Sequence, residues 1–177
     1  MTITLAIDTS TSRTCVGIIE DGILVWSGFR DGATAHGPAL PALVQEAIVG
    51  RAIDEVVLGM GPGPFTGLRI GIAFAHSFAL ARNIPVRGIC SLDAIAAQVT
   101  SKDFVITIDA RRKEVYWARY VNGVRVGEPA VNFPQDVSGA EVYSNLYPDL
   151  LSMVALTGDI TEPIYLRHPD AVATADR

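Results

Sequence analysis

Two aspartates occupy positions from which a carboxylate can do chemistry. Asp8 follows the apolar run Leu5-Ala6-Ile7, and Asp109 follows Val105-Ile106-Thr107-Ile108. Each precedes a polar stretch, Thr9 to Ser12 and Ala110 to Lys113. A carboxylate at the end of a buried strand can hold Mg²⁺ beside a nucleotide phosphate. Asp is also a turn residue in its own right, because its side chain bonds the backbone two residues on. A full nucleotide site needs glycine-bearing phosphate turns after both carboxylates, and neither stretch contains Gly. The turn reading therefore leads, and Asp8, Thr9, Ser10 and Asp109 are retained as a candidate vestigial nucleotide site. The block Gly59-Met60-Gly61-Pro62-Gly63-Pro64-Phe65-Thr66-Gly67-Leu68-Arg69-Ile70-Gly71 invites comparison with a phosphate loop at a helix N-terminus. It lacks the P-loop Lys and the GxGxxG spacing. Pro62 and Pro64 each remove a backbone donor that a phosphate cradle would use. The block is read as a stiff strand-to-helix connection with Thr66 as helix cap. The histidines, His36, His76 and His168, include no i, i+4 pair, Cys15 and Cys90 form no CxxC, and no GxSxG elbow occurs. No catalytic residue and no metal site are assigned.

These residues must be positioned by the elements around them. Ile3 to Ile7, Thr14 to Ile19 and Ile23 to Phe29 read as strands, the last two joined by a hairpin at Glu20-Asp21-Gly22. Pro38 opens a helix in which Leu40, Leu43, Val44, Ala47 and Ile48 recur at helical spacing. Val56 to Leu58 is a strand, Thr66 to about Arg82 a helix, and Pro85 to Ile89 a strand. Ser91 caps a helix through Ala97. The pattern then restarts. Asp21-Gly22 lies thirteen and fourteen residues after Asp8, and Asn122-Gly123 thirteen and fourteen after Asp109. This points to a duplicated βββ unit. The expected fold is α/β with two related lobes, 1–100 and 101–177, built on mixed βββαβα sheets. The second lobe is shortened and irregular after Phe133, and its tail, from Arg167 to Arg177, is polar and expected to be mobile.

The helix after the Gly-Pro block carries Gly67, Gly71, Ala75 and Ala79 at four-residue spacing. Leu68, Ile70, Ile72, Phe74, Phe78 and Leu80 fill most of its remaining surface. A helix apolar nearly all round is covered on more than one side, and small residues let another backbone come close. The preceding helix is apolar too. The two are therefore read as a helix contact with a second molecule, through Leu40, Leu43, Val44, Ala47, Gly67, Leu68, Gly71, Ile72, Phe74, Ala75 and Phe78. On that reading Ala75→Glu abolishes association and leaves the fold intact.

Composition narrows the function classes. The chain has 177 residues, 49% hydrophobic and 19% charged, with a net charge of −5. So apolar a composition points to surface covered by a partner. The negative balance argues against a chain that grips nucleic acid by itself. The basic run Arg111-Arg112-Lys113 reads as a solvated turn. Two isolated cysteines and the absence of a signal-peptide pattern fit the cytoplasm. The apolar stretch Gly67 to Ala81 is too short to span a bilayer.

Taken together, Ala6-Ile7-Asp8-Thr9-Ser10, the block from Gly61 to Gly71, Asp109-Ala110-Arg111 with Glu114-Val115-Tyr116, and the ending Pro163-Ile164-Tyr165-Leu166-Arg167 resemble the bacterial TsaB (YeaZ) family over nearly the whole chain. The resemblance implies an actin-like ATPase-superfamily (ribonuclease H-like) fold. It also implies a role in making N6-threonylcarbamoyladenosine beside the anticodon of tRNAs, as a non-catalytic scaffold for the catalytic paralogue TsaD, together with the ATPase TsaE. Contact with tRNA would come only through the complex, and a homodimer could form in isolation. TsaD binds metal through a His pair on a helix, which has no counterpart here. No cofactor is expected, with weak ATP/Mg²⁺ binding left open. The competing reading is an ATP-dependent phosphotransferase or hydrolase of the same superfamily.

Overall fold

The chain is described by a computed structural model that covers residues 1–167 apart from 140, 157 and 159. Of the tail expected to be mobile from Arg167 to Arg177, Arg167 is instead held by the Ala110 carbonyl and Glu114, and residues 168–177, His168 among them, lie outside the described residues. Strands β1 (Ile3–Asp8), β2 (Arg13–Glu20) and β3 (Ile23–Asp31) form an antiparallel meander. Strands β4 (Glu55–Gly59) and β5 (Val86–Ile89) add to it in parallel, giving the order β3-β2-β1-β4-β5. Asp8 pairs with Cys15 and Ile7 with Leu58, so the end of β1 opens beside the end of β4. The second sheet repeats the plan. β6 (Asp103–Asp109), β7 (Val115–Val121) and β8 (Val124–Asn132) form a meander, and the short β9 (Val142–Tyr143) joins β6 in parallel. The duplicated βββ unit is thus real. Between β8 and β9, among the described residues, a single 3-10 turn, Pro134–Asp136, stands where the first lobe has a helix.

Helices α1 (His36–Ala47) and α2 (Phe65–Arg82) cover one face of the first sheet. Leu40, Leu43, Val44, Ala75 and Phe78 meet Leu5, Ile7, Val16, Ile18 and Leu58 there. The opposite face, with Ala6, Cys15, Ile19 and Val57, receives Ala94 of α3 (Ser91–Ala96) and Leu150 and Met153 of α4 (Leu150–Ala155). Every residue of β1 is buried, as a strand covered on both faces requires. Leu92 and Ile95 of α3 also enter the second core, with Phe104, Ile106 and Tyr120. The two sheets divide near residue 100, but the helices pack across that division.

Three helix starts differ from expectation. α2 begins at Phe65 with Pro64 in the cap position, so Thr66 lies inside the first turn. Pro64 is extended (φ −58°, ψ 131°) and its carbonyl accepts from Leu68 N–H at 3.1 Å, which starts the helix without a side-chain cap. α1 begins at His36, two residues before Pro38, whose missing N–H still falls among donors that lack a helical partner. α3 is capped at Cys90, and the Ser91 hydroxyl is engaged elsewhere. No helix among the described residues is long and apolar enough to cross a membrane.

Candidate functional site

The ends of β1 and β4 bring Asp8 against the start of α3. Asp8 is fully buried. Its Oδ1 accepts from the Ser10 N–H at 2.8 Å and from the Ser10 hydroxyl at 2.6 Å. Its Oδ2 accepts from the Ser91 hydroxyl at 2.6 Å. Ser91 Oγ accepts in turn from Gly61 N–H at 3.3 Å, and Ser91 N–H donates to the Gly61 carbonyl at 2.8 Å. Both carboxylate oxygens are therefore satisfied from within the chain. Burial raises the Asp8 carboxyl above its ordinary value of 3.8, and the Ser10 and Ser91 hydrogen bonds oppose that rise. Gly59 has no room for a side chain, since a β-carbon there would overlap Asp8 Oδ2.

The next residues of the turn lie on the Gly-Pro block. The Thr9 hydroxyl donates to the Gly67 carbonyl at 2.8 Å. A β-carbon on Gly67 would stand 2.6 Å from the Thr9 carbonyl oxygen, and one on Gly71 would overlap Thr9 Oγ1. On Gly63 it would overlap the Ser10 backbone. His36, at the start of α1, joins its Nδ1 to Thr14 Oγ1 at 2.8 Å, with Gly67 beside its ring. Burial holds the His36 imidazole below its ordinary value of 6.5, although the Asp8 charge and the Thr11 carbonyl pull the other way.

This geometry corrects the expectation for the small-residue stripe. A backbone does approach Gly67 and Gly71 closely, but it is the β1–β2 turn of the same chain. Ala75, Leu40, Leu43, Ala47 and Leu68 are fully buried, Val44 and Phe78 nearly so, and Ile72 and Phe74 are half-buried against the same core. Of the eleven residues assigned to a partner contact, nine are enclosed within the chain. The reason is that α1 and α2 both lie on the first sheet and point their apolar stripes into it. Outward they leave Pro38, Pro41, Ala42 and Gln45 of α1, and Thr66, Arg69, Ala73, Ser77 and Leu80 of α2.

Asp109 does not mirror Asp8. It is exposed, its Oδ1 accepts from Arg111 N–H at 2.9 Å, and its Oδ2 lies 3.8 Å from the Arg111 guanidinium. The cavity between the two turns, bounded by Thr11, Ser12, Pro64, Asp109, Arg111 and Tyr147, amounts to about 60 Å³. A typical small-molecule site offers roughly 300 Å³ or more. A C-terminal strap closes the same region. Ile164 N–H donates to the Met60 carbonyl at 2.8 Å, the Tyr165 ring lies 5.2 Å from Phe65, and Arg167 Nη1 donates to the Ala110 carbonyl at 2.8 Å while pairing with Glu114. Among the described residues no group of three or more His, Cys, Asp or Glu side chains is placed to hold a metal ion.

Sequence reasoning missed Ser91, His36 and the strap as parts of this site. Ser91 looked like an ordinary helix cap, and nothing local in the sequence links it to a carboxylate 83 residues away.

Two lobes of repeated βββ topology, meeting at a cleft between the ends of β1 and β6, define an α/β protein of the actin-like, ribonuclease H-like class. A family model described as "TsaD: tRNA N6-adenosine threonylcarbamoyltransferase" matches residues 32–146. A protein of Escherichia coli named tRNA threonylcarbamoyladenosine biosynthesis protein TsaB is 35% identical over 136 residues, 70% of this chain and 58% of that protein. A Mycobacterium leprae protein is 40% identical over 203 residues, 97% of this chain and 56% of its own length. The chain thus spans just over half the length of these two relatives. The structure of YeaZ from Pseudomonas aeruginosa superposes with a TM-score of 0.75 at 26% identity, covering 88% of this chain and 90% of that one. The chain belongs to the TsaB (YeaZ) family, within the wider family that the TsaD model describes.

Proposed function

We propose that this chain is a non-catalytic partner subunit in the formation of N6-threonylcarbamoyladenosine in tRNA, paired with a TsaD-type catalytic subunit and served by a TsaE-type ATPase. The observation that carries this reading is the state of the cleft. The Asp8 carboxylate, which an actin-like nucleotide site would use, is saturated by Ser10 and Ser91, and the cavity between the β1–β2 and β6–β7 turns is about 60 Å³. A carboxylate bonded in this way within its own chain supports a non-catalytic role for this subunit. The outward faces of α1 and α2 supply the docking surface on this reading. Pro38, Pro41, Ala42, Ala73 and Leu80 are exposed there, Leu80 at 84%. Exposed apolar residues on two adjacent helices are what a partner helix covers.

Reconstitution tests the proposal. The purified chain, tRNA, ATP, threonine, bicarbonate and the enzyme that makes threonylcarbamoyl-adenylate are expected to give no modified adenosine. Adding a TsaD-type subunit and the TsaE-type ATPase is expected to give it, at a rate that depends on this chain. Modified adenosine formed without the TsaD-type subunit overturns the proposal.

A further inference from the structure

Two hairpins in this chain use the residues that tight left-handed turns favour. Asp21-Gly22 joins β2 to β3 at φ 46° and 81°, and Asn122-Gly123 joins β7 to β8 at φ 51° and 79°. Asp, Asn and Gly visit that region at little cost, and Asn-Gly or Asp-Gly is the usual choice for such a hairpin. The turn between β6 and β7 has the same requirement and a different composition. Arg111, Arg112 and Lys113 follow one another at φ 63°, 53° and 65°, and Glu114 N–H closes the turn on the Arg111 carbonyl at 3.0 Å. Three long cationic side chains, each with a β-carbon, stand where Asn or Gly would sit without strain. Turn stability does not explain that choice.

The turn is also anchored. The Asp109 carboxylate accepts from Arg111 N–H, and Arg167 of the strap grips the Ala110 carbonyl and Glu114. All three cationic residues are exposed, and they form the chain's one run of three consecutive cations, against a net charge of −5. The strap that anchors the turn also carries Tyr165, 41% exposed and paired with Phe65, over which the Arg69 guanidinium lies at 4.9 Å. An anchored turn of exposed cations, with Arg111 3.8 Å from Asp109, and an accessible aromatic ring on the strap that anchors it suit a nucleic-acid strand, phosphates on the former and a base on the latter. The cavity at the foot of the turn is too small for a free nucleotide.

We propose that the Arg111-Arg112-Lys113 turn is an RNA phosphate contact, through which this chain itself touches the tRNA modified by the complex, with Tyr165 offering a ring face to a neighbouring base. The inference rests on the proposed role in tRNA modification and adds a direct contact to it.

The test replaces all three residues by Asn, which accepts the left-handed turn. The triple variant Arg111→Asn, Arg112→Asn, Lys113→Asn is expected to melt no lower than wild type and to assemble equally with the TsaD-type subunit by size-exclusion chromatography. The assembled variant complex is expected to bind tRNA about tenfold more weakly near 0.1 M salt, with the slope of log K against log salt reduced by about two, since each lost phosphate contact removes roughly 0.7 to 0.9. Equal tRNA affinity and slope would overturn the inference and leave the partner-subunit reading standing. Loss of assembly with unchanged stability would overturn it as well, by making the turn a protein contact. A wild-type chain that never joins the TsaD-type subunit would overturn both.

Discussion

At Asp8, Thr9 and Ser10 the polar atoms face inward, and their partners explain glycines that look functional in the sequence. Gly59, Gly63, Gly67 and Gly71 all lie against this turn, and each would drive a β-carbon into it. The turn is packed into a saturated network, and such networks leave little for a ligand to bind. His36 carries the network's pH response. Its imidazole is held below 6.5, chiefly by burial, so on acidification the unfolded chain takes up a proton before the folded one does. Stability is therefore expected to fall as pH drops below 6.5 towards the lower folded-state value, by at most about 1.4 kcal/mol per pH unit. Asp8 runs the other way. Its folded value is raised above 3.8, so its own effect favours the folded state on acidification and cannot produce that loss. Urea unfolding of wild type and His36→Gln at pH 7.5, 6.5 and 5.5 separates the two. A slope that survives in His36→Gln would remove His36 as its source.

Within a single element, α2 shows both what periodicity reveals and what it hides. The four-residue spacing of Gly67, Gly71, Ala75 and Ala79 correctly announces a close approach. It does not say to what, because spacing identifies a face and not its neighbour. The neighbour is the β1–β2 turn and the first sheet. Two substitutions on the helix are therefore expected to diverge. Ala75→Glu places an unpaired carboxylate in a fully buried position, costs about 3–5 kcal/mol, and is expected to abolish the near-ultraviolet circular dichroism of the folded chain. Leu80→Glu lies on the outward face, is expected to stay within about 0.5 kcal/mol of wild-type stability, and is expected to weaken association with the TsaD-type subunit about tenfold. Wild-type affinity for Leu80→Glu would move the docking surface away from this face.

The whole molecule is closed by segments far apart in sequence. α4 covers the first sheet from beyond residue 149, and the strap joins Met60 and Phe65 of the first lobe to Ala110 and Glu114 of the second. A nucleotide between the β1 and β6 ends would need open space there, roughly 300 Å³ or more. Here Thr11, Ser12 and Pro64 already meet Asp109, Arg111 and Tyr147 around about 60 Å³. Calorimetric titration with ATP and Mg²⁺ is accordingly expected to show no dissociation constant tighter than about 100 μM, corresponding to less than about 5.5 kcal/mol of binding free energy. A sub-micromolar constant that Asp8→Ala abolishes would show the cleft to be a working nucleotide site.

The sequence by itself determined the elements up to Phe133, apart from their exact starts, and their duplication, but not β9 and α4 beyond it. Strand alternation, the Asp21-Gly22 and Asn122-Gly123 turns and the apolar spacing of α1 and α2 are local, because each depends on residues a few positions apart. The missing glycines after Asp8 and Asp109 were legible for the same reason. The family resemblance was legible too, since its motifs are contiguous blocks. Only the tertiary structure decided that Ser91 reaches back to Asp8, that the glycine stripe receives the chain's own turn, that Asp109 stays exposed while Asp8 is sealed, and that Arg111 to Lys113 form a left-handed turn whose flanking residues Ala110 and Glu114 are gripped by Arg167. Each of these depends on which distant segments share a face once both sheets are buried. Contacts of that kind follow from the packing of the whole chain, and no window of neighbouring residues contains them.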